Sequence, residues 1–88
     1  MSKHRDHYRK LRAAEASAYA HWSTAANALA AITAKRAAHA AAHATTPRER
    51  HGWDRLHIAA IEEEQNAFER WQNACNKLDD YEASFSHP

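Results

Sequence analysis

Four side chains near the middle of the chain have the types and spacing of a zinc-type metal site. His39 and His43 are four residues apart, and Asp54 and His57 are three apart, so the members of each pair project from the same face of a helix. Imidazole and carboxylate groups are zinc ligands. If the chain folds back between the two pairs, the pattern predicts a metal site formed by His39, His43, Asp54 and His57.

A second interpretation of the same residues needs no metal. Polar side chains are tolerated near the end of a helical hairpin because water reaches them, and His39 would then form an ordinary hydrogen bond with Asp54. Arg36 lies close to this cluster in the sequence, and its positive charge disfavours a cation. The sequence leaves both interpretations open, and it predicts no bound cofactor.

Chemistry of other kinds has little support in the sequence. The chain has one cysteine, Cys75, and one glycine, Gly52, so it predicts neither an internal disulfide framework nor a glycine-rich phosphate loop. No nucleophile is accompanied by a base and an orienting group at a recognisable spacing. We therefore expect a non-enzymatic protein.

Positive charge is concentrated near the amino terminus, which is a feature of some nucleic-acid-binding proteins. The formal net charge of the whole chain is only +1, and a hairpin would lay the basic segment beside Asp79, Asp80 and Glu82. Opposite charges would then neutralise one another, so we expect no nucleic-acid partner. The basic residues are Lys3, Arg5, Arg9, Lys10 and Arg12.

The composition predicts that helices position all of these side chains. Alanine dominates the 88 residues, which include one glycine and two prolines, and alanine is the strongest helix former. Residues 16–34 carry no fixed charge, which is typical of a helix packed by neighbours around much of its circumference. Apolar residues at alternating three- and four-residue steps, from Tyr8 to Ile32, predict one helix over residues 3–43 with a heptad seam.

The break between helices is predicted at residues 44–46. Thr46, Pro47 and Glu49 match a capping box, with an N-cap threonine, a proline at the first helical position and a glutamate three residues after the cap. A second helix is therefore predicted over residues 47–84.

Gly52 leaves a second start for this helix open, near Trp53, with a longer loop before it. With either start the fold class is all-α. We predict an antiparallel two-helix hairpin, similar to a coiled coil, that forms a single domain over residues 1–88.

The second helix has two apolar columns. One runs from His57 to Phe85 and is predicted to face the first helix, and the other lies beside it at seven-residue spacing. Because one hairpin can cover only one column, we predict a homodimer or a higher homo-oligomer in which two hairpins form a four-helix bundle. The predicted interface consists of Tyr19, Trp53, Ala60, Ala67, Ala74 and Tyr81.

Folding the chain at the Thr-Pro corner sets the register of the two helices. Facing residues should have numbers that sum to about 93, which pairs Tyr8 with Phe85 and Trp22 with Trp71. Three glutamates then lie on the seam, where a buried charge is costly. We expect them to lean out to water or to meet a basic group on another chain; they are Glu15, Glu64 and Glu82.

In outline the chain resembles two classes of small helical protein. Two long helices with His51-Gly52-Trp53 at the turn resemble the WXG100 class of secreted proteins, although that class has tryptophan before glycine and an acidic residue four positions after a tyrosine, where this chain has Phe85 after Tyr81. The short, free-standing design is also similar to inhibitors encoded by phages or plasmids, such as anti-CRISPR proteins. The first resemblance implies secretion, and the second implies inhibition of a host complex.

The sequence as a whole predicts a cytoplasmic protein. Its amino terminus is polar where a signal peptide has an apolar core, and the polar residues within 16–34 argue against a membrane span. We expect a non-enzymatic interaction module that self-associates and binds, inhibits or scaffolds a partner protein. The alternatives are a histidine-rich metal-binding protein and a WXG100-like secreted hairpin.

Overall fold

Two long antiparallel helices make up the fold in a computed structural model that describes residues 2–86. Helix α1 spans Ser2–Ala42 and helix α2 spans Pro47–Ser86, and the two pack against each other as a hairpin. The prediction of an all-α hairpin is confirmed, and the helix ends differ from the predicted ones by at most two residues. Residues 1, 87 and 88 of the predicted domain lie outside the described residues.

The capping box predicted at the start of α2 is present. The Glu49 backbone N–H donates to Thr46 Oγ1 (3.2 Å), and the Thr46 backbone N–H donates to Glu49 Oε1 (3.3 Å). These reciprocal bonds satisfy backbone donors that the first turn of a helix leaves free. Gly52 lies inside α2, which settles the start of the helix in favour of Pro47.

The seam of α1 follows the predicted heptad positions. Among the described residues, the half-buried or buried side chains recur at three- and four-residue steps from Tyr8 to His39 and include Trp22 and Ala25. The side chains of this stripe contact α2, and the rest of α1 is largely exposed to solvent. Heptad spacing alone was therefore sufficient to identify the packed side of the first helix.

The seam of α2 is rotated from its predicted position. Ala67 has no exposed surface, whereas Phe68, predicted to face α1, is 38% exposed. Alanine in the seam lets the two helices approach closely, and the bulkier Phe68 lies about 100° further round the helix, at the edge of the contact. The placement of the seven-residue column outside the hairpin is wrong, because its members Trp53, Ala60, Ala67, Ala74 and Tyr81 are half-buried or buried on the α1 side.

The register also differs from the predicted one, by about one helical turn. Tyr8 contacts Tyr81 at a ring-centroid distance of 6.3 Å, in place of Phe85. Arg36 binds Asp54, about one turn nearer the corner than His57, which a sum of 93 places opposite it. The reason is the position of the loop: its centre lies within residues 43–46, before the Thr46–Pro47 bond on which the predicted register was based.

The molecule is a slender rod with a thin core. Its Cα atoms extend over 65 × 16 × 15 Å, and the buried apolar side chains among the described residues are Ala25, Ala67 and Leu78. Neither helix, over the part of the chain that the structure describes, is both long and apolar enough to cross a membrane.

Candidate interaction surface

Two tryptophans stack across the middle of the hairpin. The rings of Trp22 on α1 and Trp71 on α2 have centroids 5.2 Å apart and planes inclined by 16°. The Trp22 Nε1–H donates to Glu64 Oε1 (2.9 Å), and the Trp71 Nε1–H donates to Glu15 Oε2 (2.8 Å). Each indole thus binds a carboxylate on the opposite helix, and the predicted Trp22–Trp71 contact is confirmed.

Our expectation that these two carboxylates lean out to water is wrong. Glu15 and Glu64 are half-buried, and the indole N–H that each accepts offsets the cost of removing a charge from water. The same bond satisfies the indole donor, which would otherwise be left without a partner inside the helix contact. Glu82, the third seam glutamate, lies with its Oε1 3.4 Å from the Tyr8 hydroxyl.

Two further rings complete an aromatic cluster, which we define as Tyr19, Trp22, Phe68 and Trp71. Tyr19 contacts both tryptophans, with centroid distances of 5.8 Å to Trp22 and 5.1 Å to Trp71. Phe68 also contacts both, at 5.9 Å in each case. The tryptophans form the inner part of the cluster, and Tyr19 and Phe68 are 47% and 38% exposed.

The cluster has a local two-fold relation. Exchanging α1 with α2 converts the Trp22–Glu64 bond into the Trp71–Glu15 bond, and it converts the contacts of Tyr19 into those of Phe68. The axis of such an exchange is perpendicular to the plane of the hairpin, so Tyr19 and Phe68 emerge on the same side of it.

An internal repeat in the sequence underlies this symmetry, and we missed it when we interpreted the sequence. Residues 15–29 (EASAYAHWSTAANAL) and 64–78 (EQNAFERWQNACNKL) are identical at six positions and have an aromatic ring at Tyr19 and at Phe68. Aligning the two halves of the chain shows a glutamate seven residues before each tryptophan. In the hairpin, each tryptophan bonds the glutamate of the other repeat. The repeat therefore carries the signal that heptad analysis of each helix alone did not give.

On the side of the hairpin that carries Tyr19 and Phe68, the outward columns of both helices carry no charged residue over about five helical turns. We call this side the aromatic face, and the carboxylates of Glu15 and Glu64 at its floor are both bonded to indole N–H groups. An open depression of about 440 Å³ lies on the α2 half beside Phe68 and Gln65, and Glu64 and Glu69 also line it, so carboxylates border it. The aromatic face consists of Ala16, Tyr19, Ser23, Ala26, Ala30 and Thr33 from α1, and of Ile58, Ile61, Gln65, Phe68, Gln72 and Cys75 from α2.

The opposite side of the hairpin is charged, and we call it the charged face. His21 on α1 lies 3.0 Å from a carboxylate oxygen of Glu63 on α2. The column of α1 that contains His21 at seven-residue spacing therefore borders the column of α2 that contains Glu63 at the same spacing. The same columns carry Lys35, Arg70 and Lys77, together with Leu56, whose surface is 55% exposed.

The four predicted metal ligands are divided among separate contacts. His39 Nε2 lies 2.7 Å from Glu49 Oε2, Asp54 accepts from Arg36 (2.6 Å), and His57 Nε2 lies 3.4 Å from Thr33 Oγ1. The shifted register produces this division, because it places Glu49 opposite His39. No group of three or more His, Cys, Asp or Glu side chains close enough to hold a metal ion is found within residues 2–86.

His43 stays near His39, with ring centroids 5.2 Å apart, so the structure does bring the first predicted pair together. His39 also contacts the ring of Trp53 at 5.9 Å. The pKa of Glu49 is held below its ordinary value, first by the hydrogen bond from the Thr46 hydroxyl, then by the bond from the Thr46 backbone and by His39. This carboxylate is therefore part of the corner that closes the hairpin.

Comparison with family models, with curated proteins and with solved structures finds no match to this chain.

The remaining predicted interface residue, Tyr81, lies at the open end of the hairpin. Its ring contacts His7 at 4.7 Å and Phe85 at 4.8 Å, and its hydroxyl donates to the His4 backbone carbonyl (2.9 Å). Tyr81 therefore ties the end of α2 to the start of α1. Of the six predicted interface residues, Tyr19 is the one that lies on the exposed aromatic face.

Cys75 lies on the aromatic face and is half-buried. Burial raises the pKa of its thiol, and the negative charges of Glu15 and Asp79 raise it further. A thiol with a raised pKa is a weak nucleophile, so Cys75 contributes apolar surface to the face and little reactivity.

Proposed function

We propose that this protein is a non-enzymatic interaction module that binds another protein through the aromatic face. The observation that carries the proposal is the pair of half-exposed rings, Tyr19 and Phe68, at the centre of an uncharged side of two rigid helices. Large aromatic side chains surrounded by other apolar groups are the residues that contribute most to protein–protein binding.

The tryptophan pair supports the exposed rings from below. Trp22 and Trp71 are each held by stacking and by a hydrogen bond to a glutamate on the other helix. Tyr19 and Phe68 rest on this platform and lose little side-chain freedom when a partner covers them. Binding through such a preorganised surface has a smaller entropic cost than binding through mobile side chains.

The chemistry of the face selects an uncharged, largely apolar protein surface as its partner. Charged partners gain nothing from a strip without fixed charge, and they lose their hydration when they cover it. The depression beside Phe68, about 440 Å³ in volume, is large enough to receive an apolar side chain against Trp22 and Phe68, with the carboxylates of Glu64 and Glu69 at its border. The charged face, in contrast, keeps the other side of the hairpin hydrated.

Site-specific photo-crosslinking in cells that produce the protein tests this proposal. A photoreactive phenylalanine analogue is placed at Tyr19, at Phe68 or at Leu56, in one variant each. Leu56 is the matched control, because it is apolar and 55% exposed but lies on the charged face. We expect protein adducts from positions 19 and 68 and at least about tenfold less from position 56. Adducts as strong from position 56, or none from 19 and 68, would contradict the proposal.

A further inference from the structure

Three of the five exposed large hydrophobic residues in the described part of the chain lie on the aromatic face, whereas Leu56 lies on the charged face and Phe85 lies near the end of α2. Tyr19, Ile58 and Phe68 are exposed large hydrophobic residues of the aromatic face, with exposed fractions between 38% and 55%. The core beneath them consists of two alanines and a leucine that are buried. A chain of this size with so small a core gains stability when a second element covers its apolar side.

The area of this side fits a protein interface of ordinary size. The hairpin is 65 Å long and 16 Å wide, so one whole side presents roughly 1,000 Å², of which the uncharged strip occupies about five helical turns, or roughly 27 Å of the length; a stable interface buries about 800 Å² on each partner. A single peptide helix, about 10–12 Å across, would lie in the groove between the two helices and leave the outer part of each uncovered. A second two-helix hairpin covers both.

The local two-fold relation bears on which two-helix hairpin can cover the aromatic face. Because residues 15–29 and 64–78 repeat each other, the aromatic face presents similar groups on its α1 and α2 halves. A second copy laid face to face can therefore bring its Tyr19 and Phe68 against the same two rings in either direction along the hairpin. Two-fold dimers use one patch on both subunits, and such contacts close without forming fibres.

The charges permit the same pairing. The outward columns of the face carry no charged residue between Arg12 and the corner on α1, or between Asp54 and Asp79 on α2, so these columns add no repulsion between two copies. The half-buried carboxylates of Glu15 and Glu64 keep their indole donors.

We infer that the partner of the aromatic face is a second copy of this chain, and that two hairpins join face to face as a four-helix bundle with Tyr19 and Phe68 of both copies in its central layer. This inference rests on the proposed function and names the partner. It keeps Tyr19 from the interface predicted from the sequence but replaces the column containing Ala60, Ala67 and Ala74, which formed the rest of that predicted contact, with Phe68 and its neighbours.

Sedimentation equilibrium of the purified chain tests the inference. We expect a mass of twice 10.0 kDa for the unmodified protein. The double variant Ala16→Glu with Gln65→Glu adds two carboxylates at exposed positions of the aromatic face, and we expect it to raise the dissociation constant at least about a hundredfold, because these charges would lose their hydration in the dimer. Leu56→Glu on the charged face is the control and should remain a dimer. Circular dichroism of all three proteins verifies that they are equally helical.

Two results would overturn the inference in different ways. An unmodified protein of 10.0 kDa at every concentration would exclude the second copy as partner, while crosslinking from positions 19 and 68 would still uphold the proposed function. A dimer that Leu56→Glu dissociates and the double variant leaves intact would place the contact on the charged face. That result would overturn the proposed function as well.

Discussion

The central residues of the molecule are two tryptophans and two glutamates, and each tryptophan forms a hydrogen bond with one of the glutamates. An indole N–H inside a helix contact needs an acceptor, and a half-buried carboxylate needs a donor. The Trp22–Glu64 and Trp71–Glu15 bonds meet both needs across the hairpin. They also tie the two helices together at one level and so help to fix the register.

Removing either carboxylate should therefore destabilise the hairpin. We expect Glu15→Ala and Glu64→Ala each to lower the free energy of unfolding by about 1–2 kcal/mol, because an indole donor loses its partner. Glu15→Gln and Glu64→Gln keep an acceptor oxygen and should recover most of this loss. The measurement is urea unfolding followed by tryptophan fluorescence, with Glu62→Ala, on the exposed surface of α2, as the control. Alanine variants no less stable than this control would show that the two bonds are without energetic effect.

At the scale of the helices, the sequence predicted the ends of both helices to within two residues. It predicted the rotation of α2 and the register between the helices less well. The capping box at Thr46 and the heptad steps of α1 depend on neighbours within one or two turns, so they can be identified from local spacing alone. The rotation of α2 depends on which side chains fit between the helices, and there Ala67 is accommodated more closely than Phe68. The register depends on the centre of a four-residue loop, and an error of two residues in that centre shifts the helices by about one turn, although the long rings of Trp22 and Trp71 still stack.

The corner between the helices gives a prediction with a pH dependence. Thr46 and Glu49 form the capping box, and the pKa of Glu49 is lowered in the folded chain, mainly by the Thr46 hydroxyl. A lowered folded pKa means that the stabilisation is complete above the ordinary value of 4.5 and is lost as the pH falls through the folded pKa. We expect Thr46→Ala to reduce the free energy of unfolding by about 1 kcal/mol at pH 7, and by less in acid.

Urea unfolding at a series of pH values from neutral to strongly acidic measures this difference. Thr46→Ser keeps a hydroxyl acceptor and should behave like the unmodified chain throughout. If Thr46→Ala loses the same stability at acidic as at neutral pH, the coupling between the hydroxyl and the Glu49 carboxylate is absent.

At the scale of the whole molecule, the hairpin has one charged side and one uncharged side. The expectation that apolar surface remains available for a partner came from the sequence and depended on a column of α2 that the structure places inside the hairpin. The exposed side is a different one, and the sequence signal for it is the repeat of residues 15–29 in 64–78, which relates the two helices to each other. Analysis of each helix separately could not find a site that both helices build together.

The measurement that tests the central claim most directly is hydroxyl-radical footprinting of the purified chain at low and high protein concentration. Association through the aromatic face predicts that oxidation of Tyr19 and Phe68 falls severalfold at high concentration, because the second hairpin excludes water from both rings. Leu56, exposed on the charged face, should be oxidised equally at both concentrations. Protection of Leu56 with Tyr19 and Phe68 unchanged would contradict the account.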